Sequence, residues 1–241
     1  LGWLKEFISN QATHHSSIIY QPKQNDWRIR FKQIATNIKR LFNKCKDDSS
    51  QKILLILGVS GAGKSTIIRH LKKFDHRIVP IIRYTTRPSR PQDNDRIFVS
   101  IKEMEQLAQP ENIYINNHCG VTYGTPLASI KTTLRNGKIP ILDWPISMLD
   151  FMRRVFGKKL FCVYIAPPNL KTLQNRLTAD GRDKDGIRFL YAQEELKLFA
   201  QGVFDHQIDK LIINHDGNAE LYAREILEAI EAGVTIIGEN Y

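Results

Sequence analysis

The sequence predicts an α/β fold with a mainly parallel central sheet covered by helices on both faces, and three observations carry that prediction. From residue 51 onward, short apolar runs such as 52–57 and 160–165 alternate with helically spaced segments. The runs are continuously apolar, as in strands buried on both faces. At 241 residues with 42% hydrophobic side chains, the chain can bury one full-sized core, and any second unit would be small.

In chain order the pattern reads as strand 52–57, helix 64–73, strand 78–82, strand 97–99, helix 101–108, strand 112–116, helix 126–136 and strand 139–143. It continues with helix 146–156, strand 160–165, helix 169–178, a polar glycine-containing stretch 179–186, helix 187–200, strand 210–213 and helix 218–232. Residues 1–50 stand apart. Trp27, Ile29, Phe31, Ile34, Ile38, Leu41 and Phe42 recur at roughly helical spacing among basic residues, and Lys44 to Gln51 is a polar linker. This predicts a basic helical extension at 1–50 joined to one domain over 51–235. The sequence has no internal repeat and no low-complexity tract.

Charge and cysteine content narrow the function classes. The net charge is +10, and residues 1–50 carry nine Lys/Arg against four Asp/Glu. Such an extension would suit a protein partner or an anionic surface. Zinc-finger spacing and RNP-type aromatic runs are both missing, so nucleic acid is not the expected partner. Cys45, Cys119 and Cys162 are too few and too scattered for a disulfide framework or a zinc site. The apolar runs are strand-length, far short of a bilayer span, and the first residues carry neither a basic leader nor a small-residue cleavage site. A cytoplasmic protein without a transmembrane segment is therefore expected.

The strongest chemical signal is Gly58-Val-Ser-Gly-Ala-Gly-Lys-Ser-Thr66, which satisfies G-x-x-x-x-G-K-[ST] between a predicted buried strand and a predicted helix. Backbone N–H groups from Gly58, Ser60, Gly61, Ala62 and Gly63 through Thr66 would face phosphate oxygens at a helix N-terminus. Lys64 would reach the β- and γ-phosphates of ATP, and the Ser65 hydroxyl would ligate Mg2+. A P-loop NTPase-type three-layer fold is the architecture this motif requires. Asp143, ending strand 139–143, is the candidate second magnesium-side residue; capping the helix near Pro145 is the alternative for it. His118 and Cys119 are adjacent but have no orienting partner or further metal ligand in sequence, and are expected to fill a loop.

A second constellation is Tyr84-Thr-Thr-Arg-Pro-Ser-Arg90, where two arginines around a proline can present their forks to one phosphate. Taken with Tyr123-Gly-Thr125, Pro167-Pro168 after an apolar strand, and Arg176-Leu-x-x-x-Gly181, the chain resembles the guanylate kinase family over nearly all of residues 51–232. That resemblance implies an acceptor-binding insertion at about 84–125 and a lid at about 179–187. It assigns Arg87, Arg90 and Tyr123 to the acceptor phosphate, and Thr125 to a position usually held by a base-contacting serine. It assigns Arg176 and Arg188 to the catalytic lid arginines and Asn214, in Asn214-His-Asp216, to the adenine pocket. Arg96 falls at the place of another phosphate-binding tyrosine.

The departures concern the base. Tyr114 stands where the family reads guanine with a glutamate, and Leu142-Asp-Trp-Pro145 keeps Asp143 while Pro145 replaces a second carboxylate. Asp180 stands at a usual lid arginine, with Arg182 beside it. The resemblance therefore implies ATP- and Mg2+-dependent phosphoryl transfer to a nucleoside monophosphate such as GMP. Two alternatives stay open: another acceptor such as ribose 1,5-bisphosphate, and a catalytically weak binding or scaffold module.

Overall fold

The computed structural model describes residues 51–89, 95–107, 113–118, 120–181, 183 and 185–232, with His118 described in its backbone only. The proposed extension 1–50, together with Arg90, Cys119 and Arg182, lies outside the described residues.

Five parallel strands form the central sheet: β1 (Ile53–Leu57), β2 (Ile78–Pro80), β7 (Ile139–Asp143), β8 (Leu160–Ala166) and β9 (Lys210–Ile213), in the order β2-β7-β1-β8-β9. Every residue of β1 and β8 is buried, as their unbroken apolar runs require of strands sandwiched between two helical layers. Helices α1 (Lys64–Phe74), α3 (Leu127–Arg135), α4 (Leu149–Phe156), α5 (Leu170–Ala179), α6 (Ile187–Ala200) and α7 (Ala219–Ala232) bury stripes such as Leu127, Ile130 and Leu134. The segment expected as one helix at 146–156 begins with a 3-10 turn over Ile146–Met148 before α4.

Polar nodes fix the edges. Asp75 follows α1 and accepts from the backbone N–H and the guanidinium of Arg77, which holds its carboxyl below the usual aspartate value and also reaches Glu231 on α7. Asp209 accepts from Arg153 on α4 and from the backbone N–H of Cys162 on β8, each at 2.7 Å, tying three elements together at the start of β9.

The strands expected at 97–99 and 112–116 lie outside the central sheet. They belong to a second, four-stranded sheet: β3 (Arg83–Thr85), β4 (Arg96–Phe98), β5 (Ile113–His118) and β6 (Val121–Pro126), in the order β4-β3-β6-β5. Helix α2 (Ile101–Leu107) packs on this sheet through Met104, whose Sδ lies against Gly124. β3 and β4 run parallel, whereas β3–β6 and β5–β6 are antiparallel. Two of these strands had no apolar run to announce them: β3 is Arg-Tyr-Thr, and β6 carries Gly124 and ends at Pro126.

Candidate active site

The candidate donor-side residues follow the C-terminal ends of β1, β7 and β9, the end of open α/β sheets at which ligands bind. β1 delivers the chain to Gly58, whose φ of 127° is a conformation favouring glycine and whose added Cβ would overlap the Ile165 carbonyl of β8. Gly63, at φ 91°, initiates α1, and a Cβ there would overlap the Asn214 side-chain amide. Asn214 donates to the Ala62 carbonyl at 2.7 Å and lies just after β9, so the loop is pinned from the far edge of the sheet. Gly61 faces Leu173 and Leu177 of α5. The cradle is thus held at Gly58, Gly61 and Gly63 by three other elements.

Lys64 folds over this loop. Its ammonium donates to the carbonyls of Gly58 and Val59 at 2.7 and 2.9 Å and sits 3.8 Å from Asp143 at the end of β7. Ser65 is exposed in the first turn of α1, and the Thr66 hydroxyl accepts from Arg69. An exposed hydroxyl and a partly exposed carboxylate beside a phosphate cradle are oxygen donors of the kind a hard divalent cation takes, so Ser65 and Asp143 could hold Mg2+.

Of the two arginines expected in a lid, Arg188 reaches the cradle directly, its guanidinium 3.5 Å from the Ser60 hydroxyl. It gets there because Asp183 accepts from the backbone N–H groups of Arg188 and Phe189, capping the first turn of α6. Arg176, on the last turn of α5, points elsewhere. It donates to Asp216 at 2.6 and 3.1 Å and to the Asn214 carbonyl at 2.8 Å, bracing the loop after β9.

The acceptor candidates meet on one face of the second sheet. The register places Phe98, Thr85, Tyr123 and Asn116 in one cross-strand row and Arg96, Arg83, Thr125 and Tyr114 in the next. Arg87 continues the alternation of β3, with its guanidinium over the Phe98 ring at 5.5 Å and a bond to the Pro88 carbonyl. Arg83 and Arg96 both lie over the Tyr123 ring, at 5.6 and 5.9 Å. Thr125 is fully buried. Tyr114, only 4% exposed, stacks on Phe151 at 3.9 Å and lies against Trp144, and its hydroxyl meets Met148 Sδ. Its ring is a core ring, since an aromatic side chain on this face gains more from that stack than from the cleft.

Two residues escaped the sequence reading. Arg83 was hidden in a segment read as loop, although Arg83, Thr85 and Arg87 follow the period of two that marks one strand face. Glu195 lies on the inward stripe of α6 with Ala192, Leu196 and Phe199, and accepts from the Tyr164 hydroxyl at 3.1 Å. Burial raises its pKa, against the opposing pull of Lys64 and the Tyr164 hydrogen bond, so a second carboxyl besides Asp143 stands within the field of Lys64. A carboxylate on an otherwise apolar helical stripe is the signal that would have found it.

A parallel sheet whose first strand feeds a glycine cradle, with a basic second sheet beside it, places this chain among the P-loop phosphotransferases of the nucleoside-monophosphate-kinase type. A family model described as Guanylate kinase matches residues 50–223, and the chain belongs to the guanylate kinase family. It is 32% identical over 184 residues to a guanylate kinase of Nostoc sp., covering 73% of this chain and 89% of that protein. It is 35% identical over 190 residues to a guanylate kinase of Blochmanniella floridana, covering 72% and 84%. Among solved structures, the guanylate kinase from Anaplasma phagocytophilum shares the fold, with a TM-score of 0.58 at 21% identity over 77% of this chain and 87% of that one. Among the described residues, no helix is long and apolar enough to cross a membrane.

Proposed function

We propose that this protein transfers the γ-phosphoryl group of ATP to the phosphate of a nucleoside monophosphate, with GMP as the acceptor its relatives' names suggest. The observation that carries this reading is the glycine cradle covered by Lys64 and Arg188, and the arginine-bearing face of the second sheet, within the electrostatic reach of Asp143, supports it.

The donor side is positioning plus charge neutralisation. Gly58, Ser60, Gly61, Ala62, Gly63 and Thr66 hold the donor phosphates through backbone N–H groups, while Lys64 exchanges its carbonyl partners for phosphate oxygens. Asn214 holds the loop against the adenine side, and Arg176 stiffens that side through Asp216. Magnesium, held by Ser65 and Asp143, would neutralise the donor phosphates when bound. Arg188, already at Ser60, meets the charge that develops on the transferring group. Arg87, Arg90 and Tyr123 clamp the acceptor's reacting phosphate. One of its oxygens attacks the γ-phosphorus, the bond from γ-phosphorus to the ADP oxygen breaks, and ADP leaves with the electron pair. The nucleophile is already an oxyanion, so no general base is required.

A coupled assay of ADP release tests this. Release should depend on both ATP and GMP, and Lys64→Met should lower kcat by about a hundredfold or more. ADP release that is indifferent to any phosphorylated acceptor would count against the reading.

A further inference from the structure

The acceptor face holds more positive charge than one phosphate needs. β3 and β4 pair in register with Arg83 opposite Arg96, and both guanidinium groups lie over the one Tyr123 ring. Arg83 is 6% exposed. Burial, and then repulsion from Arg96, draws its pKa down to about 10. Neutralisation is thin. Arg96 has Asp95 at 3.6 Å, a carboxylate that is itself 46% exposed, and among the described residues Arg83 makes no ion pair at all. Asp95 and Asp143 act on Arg83 only from beyond contact.

Polar atoms around the pair are also unmet. Arg96 Nε and Nη1, Thr125 Oγ1 and Asn116 Oδ1 are buried without a hydrogen-bond partner among the described residues. All three side chains project from the same sheet face as Arg83. Among the described residues, Arg83 is buried without a contacting counter-charge, and Arg96 Nε and Nη1 are buried without a hydrogen-bond acceptor. An anion here would accept from both guanidiniums and from the Thr125 hydroxyl, whereas Asn116 Oδ1, itself an acceptor, would take a donor such as a substrate hydroxyl. Arg87 and Arg90 already supply a two-arginine clamp for the acceptor's reacting phosphate in the reading above. The Arg83–Arg96 pair therefore lacks an assigned anion.

We infer that Arg83 and Arg96, flanked by Tyr123 and Thr125, form a second anion subsite, and that the preferred acceptor carries a second phosphate group besides the one that is phosphorylated. This rests on the phosphotransfer reading and specifies its substrate class: a ribose phosphate bearing two separate phosphomonoesters. Its source is either a nucleoside bisphosphate or a base-free pentose bisphosphate. The core stack of Tyr114 on Phe151 would tolerate either, because neither ring offers guanine a carboxylate.

The test compares kcat/KM at fixed MgATP for GMP, guanosine 3′,5′-bisphosphate and ribose 1,5-bisphosphate, with calorimetric binding of the same three. At least one bisphosphate should exceed GMP by about tenfold or more, and which one does so identifies the source. Arg83→Met should shrink that bisphosphate-to-GMP ratio by about tenfold, while Arg83→Lys should keep part of it. If Arg83→Met does not fold, as judged by its melting transition, Arg96→Gln takes its place. Neither bisphosphate exceeding GMP, or a substitution lowering all three acceptors by one common factor, would overturn the subsite and leave the kinase reading standing. ADP release with no acceptor would instead sink the kinase reading, and the calorimetric ratio would then decide the subsite alone.

Discussion

Glu195 shows how one side chain can report on the donor site. It is partly buried beside Tyr164 and feels both Lys64 and Asp143, and burial raises its pKa above the ordinary glutamate value of 4.5. The folded state then holds a proton that the unfolded state has already released. Stability from this group is fully present below pH 4.5 and is lost as pH rises through the raised folded value. Glu195→Gln removes that slope. Without nucleotide, the variant should gain melting temperature relative to the parent as pH rises from about 5 to about 8. A difference that stays constant with pH would contradict this. Gly63 illustrates the opposite case, a residue legible in the sequence motif but explained only by the structure. Its glycine identity answers both to a left-handed backbone and to the Asn214 amide packed where a Cβ would stand.

Among the elements, α6 carries both the proposed catalytic Arg188 and the buried carboxyl of Glu195. Its N-terminus carries Arg188 to Ser60, and its inward stripe carries Glu195 to Tyr164. The first turn depends on Asp183, whose carboxylate takes two backbone N–H groups at 2.7 and 3.0 Å. Asp183→Ala should destabilise the protein by about 1 kcal/mol and lower kcat more than it changes KM for ATP, since Arg188 loses its anchor. Asp183→Asn, which keeps the acceptor oxygen, should recover most of both. Unchanged kcat in Asp183→Ala would separate Arg188 from the chemistry. Strands that bury a continuous apolar run, β1 and β8, could be read directly from the sequence, and α6 and β9 lie at the predicted 187–200 and 210–213. β3 and β6 could not. Three residues of Arg-Tyr-Thr carry no apolar periodicity, and their strand state comes from pairing with β4 and β6. Losing β3 from the reading also lost Arg83, because a loop has no faces on which alternate residues align.

At the scale of the whole molecule, two sheets divide the proposed work. The buried parallel sheet fixes Gly58, Asp143 and Asn214 at strand ends, and the smaller mixed sheet presents Arg83, Arg87, Arg96 and Tyr123 on one face. The field of Asp143 reaches Arg83, so the two sheets address a common space. The donor half was visible in nine consecutive residues because backbone geometry alone builds a phosphate cradle. The acceptor half was visible only in fragments, since its residues come from four short strands whose order is not the chain order. Phosphorus NMR of the protein incubated with ATP, magnesium and GMP or a bisphosphate acceptor tests the division directly. The expected result is ADP together with an equal amount of acceptor carrying a new diphosphate, its two coupled resonances growing at one rate. ADP accompanied only by inorganic phosphate would contradict it.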